Sequence, residues 1–116
     1  FPAAFNYGEL LFIQKKYTEA RRYYQMLAAQ APSNELLQFK VALCDIEFGD
    51  ESKAKLSIKN ITYPGDSPAW YYAQAAWEYR YGTPKKARAY TSTAKSIFGA
   101  NTLLFDETFA NLGLKL

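Results

Sequence analysis

Three alanines set the frame for this chain. Ala20, Ala54 and Ala87 lie 34 and then 33 residues apart, each closing a short run: Tyr-Thr-Glu-Ala at 17–20, Glu-Ser-Lys-Ala at 51–54 and Pro-Lys-Lys-Ala at 84–87. Twelve residues before each alanine sits another small residue, Gly8, Ala42 and Ala75. A repeat of this period is one supersecondary unit that buries its apolar face only by stacking on its neighbours. Small residues at both positions let the two helices of a hairpin approach closely, as an antiparallel pair requires.

The punctuation falls where this frame needs it. Gly49-Asp50 and Gly82-Thr83-Pro84 break the pattern between paired helices. Asp50 and Thr83 are N-cap residue types, and Pro84 stands where the first helical turn needs no backbone donor. Ala31-Pro32-Ser33-Asn34 and Tyr63-Pro64-Gly65-Asp66-Ser67-Pro68 are turn signals between repeats. Bulk recurs at helical spacing in each second helix: Tyr17, Ala20, Tyr24 and Leu27, then Ala54, Ile58 and Ile61, then Ala87, Ala94 and Phe98. The pattern predicts helices near 3–14, 18–30, 34–48, 52–62, 68–81, 84–98 and 102–112.

On these residues the chain resembles the tetratricopeptide repeat family, whose pattern is an aromatic, a Leu-Gly pair, a Tyr, then Ala, an aromatic and Pro. The first repeat carries Tyr7-Gly8, Leu11, Ala20, Tyr24 and Pro32, with Ala4 in place of the opening aromatic. The second keeps Val41-Ala42, Ala54 and Ile58, with Asp45 where Tyr is usual; the third keeps Tyr71, Ala75 and Ala87, with Gln74, Glu78 and Thr91 at normally apolar positions. The resemblance covers about residues 1–101. It implies one all-α domain over 1–116, an α-solenoid of three antiparallel helix-turn-helix repeats in a right-handed superhelix. The repeats fall at about 1–34, 35–67 and 68–101, with a terminal capping helix at about 102–112. That last segment matches no repeat. Its Leu103, Leu104, Phe105, Phe109 and Leu112 make it greasier than a solvating cap, and hence a route to self-association or to contact with more of a longer parent chain.

Composition narrows the function. The sequence of 116 residues has no histidine, which removes the commonest general base, the usual triads and most zinc sites. Cys44 is the only cysteine, so an internal disulfide and a cysteine-based metal site are excluded. No Gly-rich phosphate loop and no cofactor motif appears. A non-enzymatic role follows as the expectation. The formal charge of +3 favours solubility more than a nucleic-acid partner. No apolar run approaches the roughly 20 residues that span a bilayer. The chain begins at Phe1 rather than Met, so its natural start is expected to have been removed; the compartment, export included, stays open.

What stands out is aromatic content: 10 Tyr, 8 Phe and 2 Trp make 17% of the chain. Such side chains fill gaps between packed elements or line a binding surface. The family resemblance implies that the fifth, ninth and twelfth repeat positions line a concave groove. Here these are Phe5, Glu9 and Phe12, then Phe39, Leu43 and Ile46, then Tyr72, Ala76 and Tyr79. Spacings of 4 and 3 put each trio on one helix face. Eight of the nine are uncharged and five are aromatic, which suits an apolar or amphipathic peptide or helix from another protein. The same stripe is also consistent with packing between hairpins, the alternative to an open groove. A structural segment of a longer repeat scaffold, and a chaperone for secretion or assembly, are the alternatives to a peptide-binding module. The family's grip on acidic chaperone tails is not expected, because the positions that would carry it hold Phe5, Glu9, Lys40, Ala69 and Ala73, with one cation among five.

Other residues have structural readings. Asp45 and Glu78 occupy equivalent repeat positions, and are expected to be satisfied by tyrosines or lysines rather than to form a catalytic carboxylate pair. Trp70 and Trp77, seven apart, are expected to wedge hairpins together, and Cys44 to be a buried inert thiol. Arg21, Lys55 and Arg88 share one repeat position, with Arg22, Lys53, Lys85 and Lys86 close by, and are expected to form a solvated outer stripe. No aromatic interleaving of the kind that stacks on bases accompanies them.

Overall fold

A computed structural model describes residues 2–114. They form α1 (Pro2–Ile13), α2 (Tyr17–Gln30), α3 (Glu35–Phe48), α4 (Glu51–Lys59), α5 (Ala69–Tyr81), α6 (Pro84–Phe98) and α7 (Leu103–Asn111), with a 3₁₀ turn at Gly99–Thr102 before the last helix. There is no strand among the described residues. The expected helices are all present. The largest difference is at α4, which ends at Lys59 rather than near 62 because the chain leaves the helix to be held from outside. The Thr62 amide donates to Gln38 Oε1 at 2.9 Å, and Ile61 turns into the core.

The helix ends follow from single side chains. Asn34 Oδ1 accepts from the Leu37 amide at 3.1 Å, Asp50 Oδ1 from Lys53 at 3.0 Å and Thr83 Oγ1 from Lys86 at 3.2 Å. Each satisfies an amide the helix itself leaves without a partner. Pro84 occupies the first turn of α6 as its lack of a donor suggests.

The chain divides into two compact units, Phe1–Thr62 and Tyr63–Leu116, with the boundary in the turn before Pro64. In the first, α1 packs on α2, α2 on α3 and α3 on α4. In the second, α5 packs on α6, and the 3₁₀ turn bridges α6 and α7. The architecture is therefore an all-α helical repeat arrangement in which helices pair with their sequence neighbours.

The small residues do what their spacing implies. Ala20, Ala42, Ala54, Ala75 and Ala87 are completely buried. A Cβ at Gly8 would lie 3.2 Å from Tyr24 Cε1, so glycine is what allows α1 and α2 to close at that point. On α2 only Ala20, Tyr24 and Leu27 are buried, one stripe at spacings of 4 and 3. α3 differs: Leu37, Phe39, Lys40, Leu43, Asp45 and Ile46 are among its buried residues, because it is flanked by α2 and α4. Each fully buried Leu, Ile or Phe of this kind contributes about 1.5–3 kcal/mol relative to exposure. Burying Lys40 and Asp45 in the same helix requires partners for both.

Candidate functional site

Those partners form two polar clusters, each joining three consecutive helices. In the first, Lys40 Nζ of α3 lies 3.1 Å from Glu9 Oε1 of α1, and the Tyr24 hydroxyl of α2 donates to the same carboxylate. In the second, Arg21 Nε of α2 donates to Asp45 Oδ1 of α3 at 2.7 Å, while Ser57 Oγ of α4 donates to Asp45 Oδ2 at 2.5 Å. The second compact unit has a matching arrangement. Tyr72 of α5 donates to Asp106 Oδ1 of α7 at 2.5 Å, Lys95 Nζ of α6 reaches the same oxygen at 2.9 Å, and Thr102 Oγ1 donates to Oδ2 at 3.3 Å.

The electrostatics of these clusters favour fixed hydrogen bonds over proton transfer. Burial, reinforced by the hydrogen bond to Glu9, pushes the Tyr24 phenol far above its ordinary range. Burial and then the Asp106 hydrogen bond do the same to Tyr72. Both phenols remain protonated donors at neutral pH. The Cys44 thiol is raised by burial and by the neighbouring Asp45 charge, so it stays a thiol and is a poor nucleophile. Asp45 is thus satisfied as expected, but by arginine and serine rather than tyrosine or lysine. Arg21 is correspondingly removed from the expected solvated stripe and turned toward α3.

The nine groove positions are not a free surface. Phe12, Phe39, Leu43, Ile46, Tyr72 and Ala76 are buried, and Phe5, Glu9 and Tyr79 are half-buried. The expectation of an open lining is corrected here, for two physical reasons. In the first unit the α1 residues of the stripe are used by neighbouring helices: Phe5 packs on Tyr24, Phe12 on Tyr17 with Lys40 Nζ 5.8 Å over its ring, and Glu9 is held by Lys40 and Tyr24. In the second, α7 itself covers the stripe. Phe109 lies 5.1 Å from Tyr72 and 6.1 Å from Tyr79 between ring centroids, and Phe105 lies 5.4 Å from Tyr72.

The clusters were only partly legible beforehand. Glu9 was the one charge in an otherwise neutral stripe, and Lys40 the one cation amid apolar α3 residues; an isolated acid and an isolated base on neighbouring first helices are the signal that they pair. Trp70 makes ring contacts with Tyr63, Tyr71 and Tyr90, so it joins the α5–α6 hairpin and its leading loop, whereas Trp77 stacks on Tyr81 of its own helix. Glu78 is not satisfied by a tyrosine or lysine at Oε2, which is buried with no hydrogen-bond partner. It borders a cleft of about 410 Å³ shared with Lys86, Ala89, Tyr90 and Thr93.

Large apolar side chains are instead exposed elsewhere. On α1 these are Tyr7 (46% exposed), Leu10 (48%) and Ile13 (64%), and on α7 Leu103 (67%) and Leu104 (51%). Phe48 at the end of α3 and Leu56 on α4 are also exposed. No helix among the described residues is long and apolar enough to cross a membrane. No family model, curated protein or solved structure matches the chain, so the tetratricopeptide resemblance rests on residue spacing.

Proposed function

We propose that this chain is a non-catalytic protein-interaction module that binds through the exposed apolar faces of its helices, not through the concave stripe. The observation that carries the reading is the contrast on α1: Phe12 is buried and Glu9 is committed to Lys40, while Leu10 and Ile13 are exposed and Tyr7, edge-on to Tyr23, leaves about half of its surface open. Exposed apolar side chains gathered on one helix face are characteristic of surfaces that another protein covers. The polar clusters support the same reading, since they tie successive helices together and make a firm platform without offering an activated nucleophile.

Affinity capture from the native host tests this. Wild-type bait is compared with a folded variant carrying Leu10→Asp and Leu104→Asp, circular dichroism having verified its helicity. A protein, or the chain's own copies, retained by the wild type and lost by the variant supports the module. Equal recovery on both baits overturns it.

A further inference from the structure

The buried stripe of α6 does not stop where the helix does. Ala87, Thr91 and Ala94 are buried and Phe98 is half-buried; seven residues on, Phe105 is buried, then Phe109, with Leu112 half-buried. The steps are 4, 3, 4, 7, 4 and 3, and the step of 7 passes over the buried Thr102. At a helical 100° per residue all of these fall on one side of a single straight helix over 84–112, about 43 Å long. The backbone is nearly there already. Phe98, Thr102 and Leu103 are right-handed helical, and the departure is Gly99, at φ 58° and ψ −129°. A Cβ at Gly99 would meet no neighbouring atom, so the positive φ alone is what requires glycine there.

That one bend folds α7 back onto its own hairpin. By backbone approach α7 pairs with the 3₁₀ turn before it, while α5 and α6 hold it through side chains. Phe105 and Phe109 cover Tyr72, Phe109 reaches Tyr79, and Asp106 accepts from Tyr72 and pairs with Lys95. The Lys95–Asp106 bond depends on the bend, because positions eleven apart in a straight helix stand about 16 Å from one another. Straightening alone would uncover Tyr72 and Tyr79 and leave Phe105 and Phe109 in water, a loss of apolar burial that one chain cannot recover.

We infer that two copies of this chain exchange α7 reciprocally. In each copy α6 and α7 run on as one helix past Gly99, and Phe105, Phe109 and Asp106 settle on Tyr72, Tyr79 and Lys95 of the other copy. The contacts that hold α7 within one chain are then remade between chains, and the bend at Gly99 is no longer needed. Because the stripe on α5 already fits α7, the occupant is the α7 of a second copy rather than a foreign helix. Ile97 and Leu104, 57% and 51% exposed in the folded-back chain, share one side of the straight helix, seven residues apart and flanking the bend. They give the two straightened segments an apolar strip to close on. Exchange of an identical element is a low-cost route to a dimer, and being reciprocal it closes at two copies. It goes beyond the interaction-module reading and makes no use of α1.

Sedimentation of the full chain from about 1 µM to about 1 mM, after long incubation at each concentration, tests it. The wild type should pass from monomer to dimer and go no further. Gly99→Ala, which removes the residue the bend requires and favours a continuous helix, should dimerise at least tenfold more tightly. Charge exchange then identifies the contact that joins the copies. Asp106→Lys sets two ammonium groups together at Lys95, and Lys95→Asp sets two carboxylates together at Asp106. Neither variant fastens α7 well, alone or with its own copies. Mixed in equal amounts, each supplies the partner the other lacks, and a dimer with one copy of each should form at least tenfold more tightly than either variant with itself. Asp106→Arg and Lys95→Glu replace any variant that circular dichroism finds unfolded. A wild type that stays monomeric to about 1 mM, assemblies that grow past the dimer, a Gly99→Ala chain that associates no more tightly, or a mixture no tighter than its separate parts overturns the inference. Capture of a host protein by a chain that never dimerises would leave the interaction-module reading standing while the exchange falls.

Discussion

Lys15 and Gly49 occupy the same repeat position and the same left-handed backbone, with φ of 63° and 94°. Each ends a helix with the same pair of bonds. The Lys15 and Lys16 amides donate to the Phe12 and Leu11 carbonyls, and the Gly49 and Asp50 amides to those of Ile46 and Asp45. The first repeat thus closes α1 with a side-chain-bearing residue in a conformation that glycine adopts without penalty.

Lys15→Gly should consequently stabilise the fold. The left-handed region costs a residue with a Cβ roughly 1–2 kcal/mol, offset in part by the larger entropy of glycine in the unfolded chain. A net gain of about 0.5–1 kcal/mol in urea unfolding is expected. Gly49→Lys, the reverse change at the equivalent site, should lose about as much.

Asp45→Ala should be among the more damaging polar substitutions. It takes from Arg21 Nε and from the Ser57 hydroxyl their shared acceptor at the centre of α2, α3 and α4, leaving the mostly buried guanidinium with its Nη1 bond to Gln25. Breaking a buried pair by removing one partner costs about 3–5 kcal/mol, and the partial exposure of Arg21 places this one near about 3. Ser57→Ala, which removes one hydrogen bond, should cost about 1 kcal/mol. Chemical unfolding of both variants gives the comparison.

The helical frame was legible because it depends on local signals. Asp50, Thr83 and Pro84 act within one turn of where they stand, and the alanine spacing is a direct consequence of hairpins closing on small residues. The fate of the groove stripe was not legible. Phe12, Tyr72 and Tyr79 have the same spacing whether they face a ligand or a helix, and periodicity reports a shared face without saying what covers it. In the second unit the cover is α7, whose Phe105 and Phe109 read from sequence only as apolar. Lys40 and Glu9 show the same limit: Glu9 was placed in the groove lining and Lys40 among the positions that would grip an acidic tail, yet the α1–α3 approach puts them 3.1 Å apart.

Two kinds of substitution should therefore separate core from surface. Phe39→Glu or Tyr72→Glu puts a carboxylate into fully buried space, in the second case beside Asp106. Loss of an aromatic core side chain alone costs about 3–5 kcal/mol, and an unpaired buried charge adds to it. Against a total stability of about 5–15 kcal/mol, loss of cooperative thermal unfolding is expected in each. Leu10→Asp should retain the wild-type helical spectrum and a melting temperature within a few degrees of wild type. A folded, cooperative Phe39→Glu protein would show that α3 is not packed on that face.

Alkaline pH offers a test that leaves the apolar packing alone. Cys44 and Tyr24 are both raised in the folded state from ordinary values of 9.0 and 10.0. The sign follows from proton counting: as pH passes the ordinary value, the unfolded chain releases a proton that the folded chain keeps, so unfolding is favoured. Their contribution is fully present below about pH 9 and is lost progressively above it. Each group that titrates only in the unfolded chain lowers stability by about 1.4 kcal/mol per pH unit. Urea unfolding at a series of pH values from about 7 to about 10.5 should show a level region and then a decline that begins near pH 9 and steepens near 10. Cys44→Ala should move the start of the decline toward pH 10, whatever its effect on stability at neutral pH. If the variant and the wild type decline together from the same pH, Cys44 ionises as readily folded as unfolded, and the α2–α3 interface that buries it is looser than described.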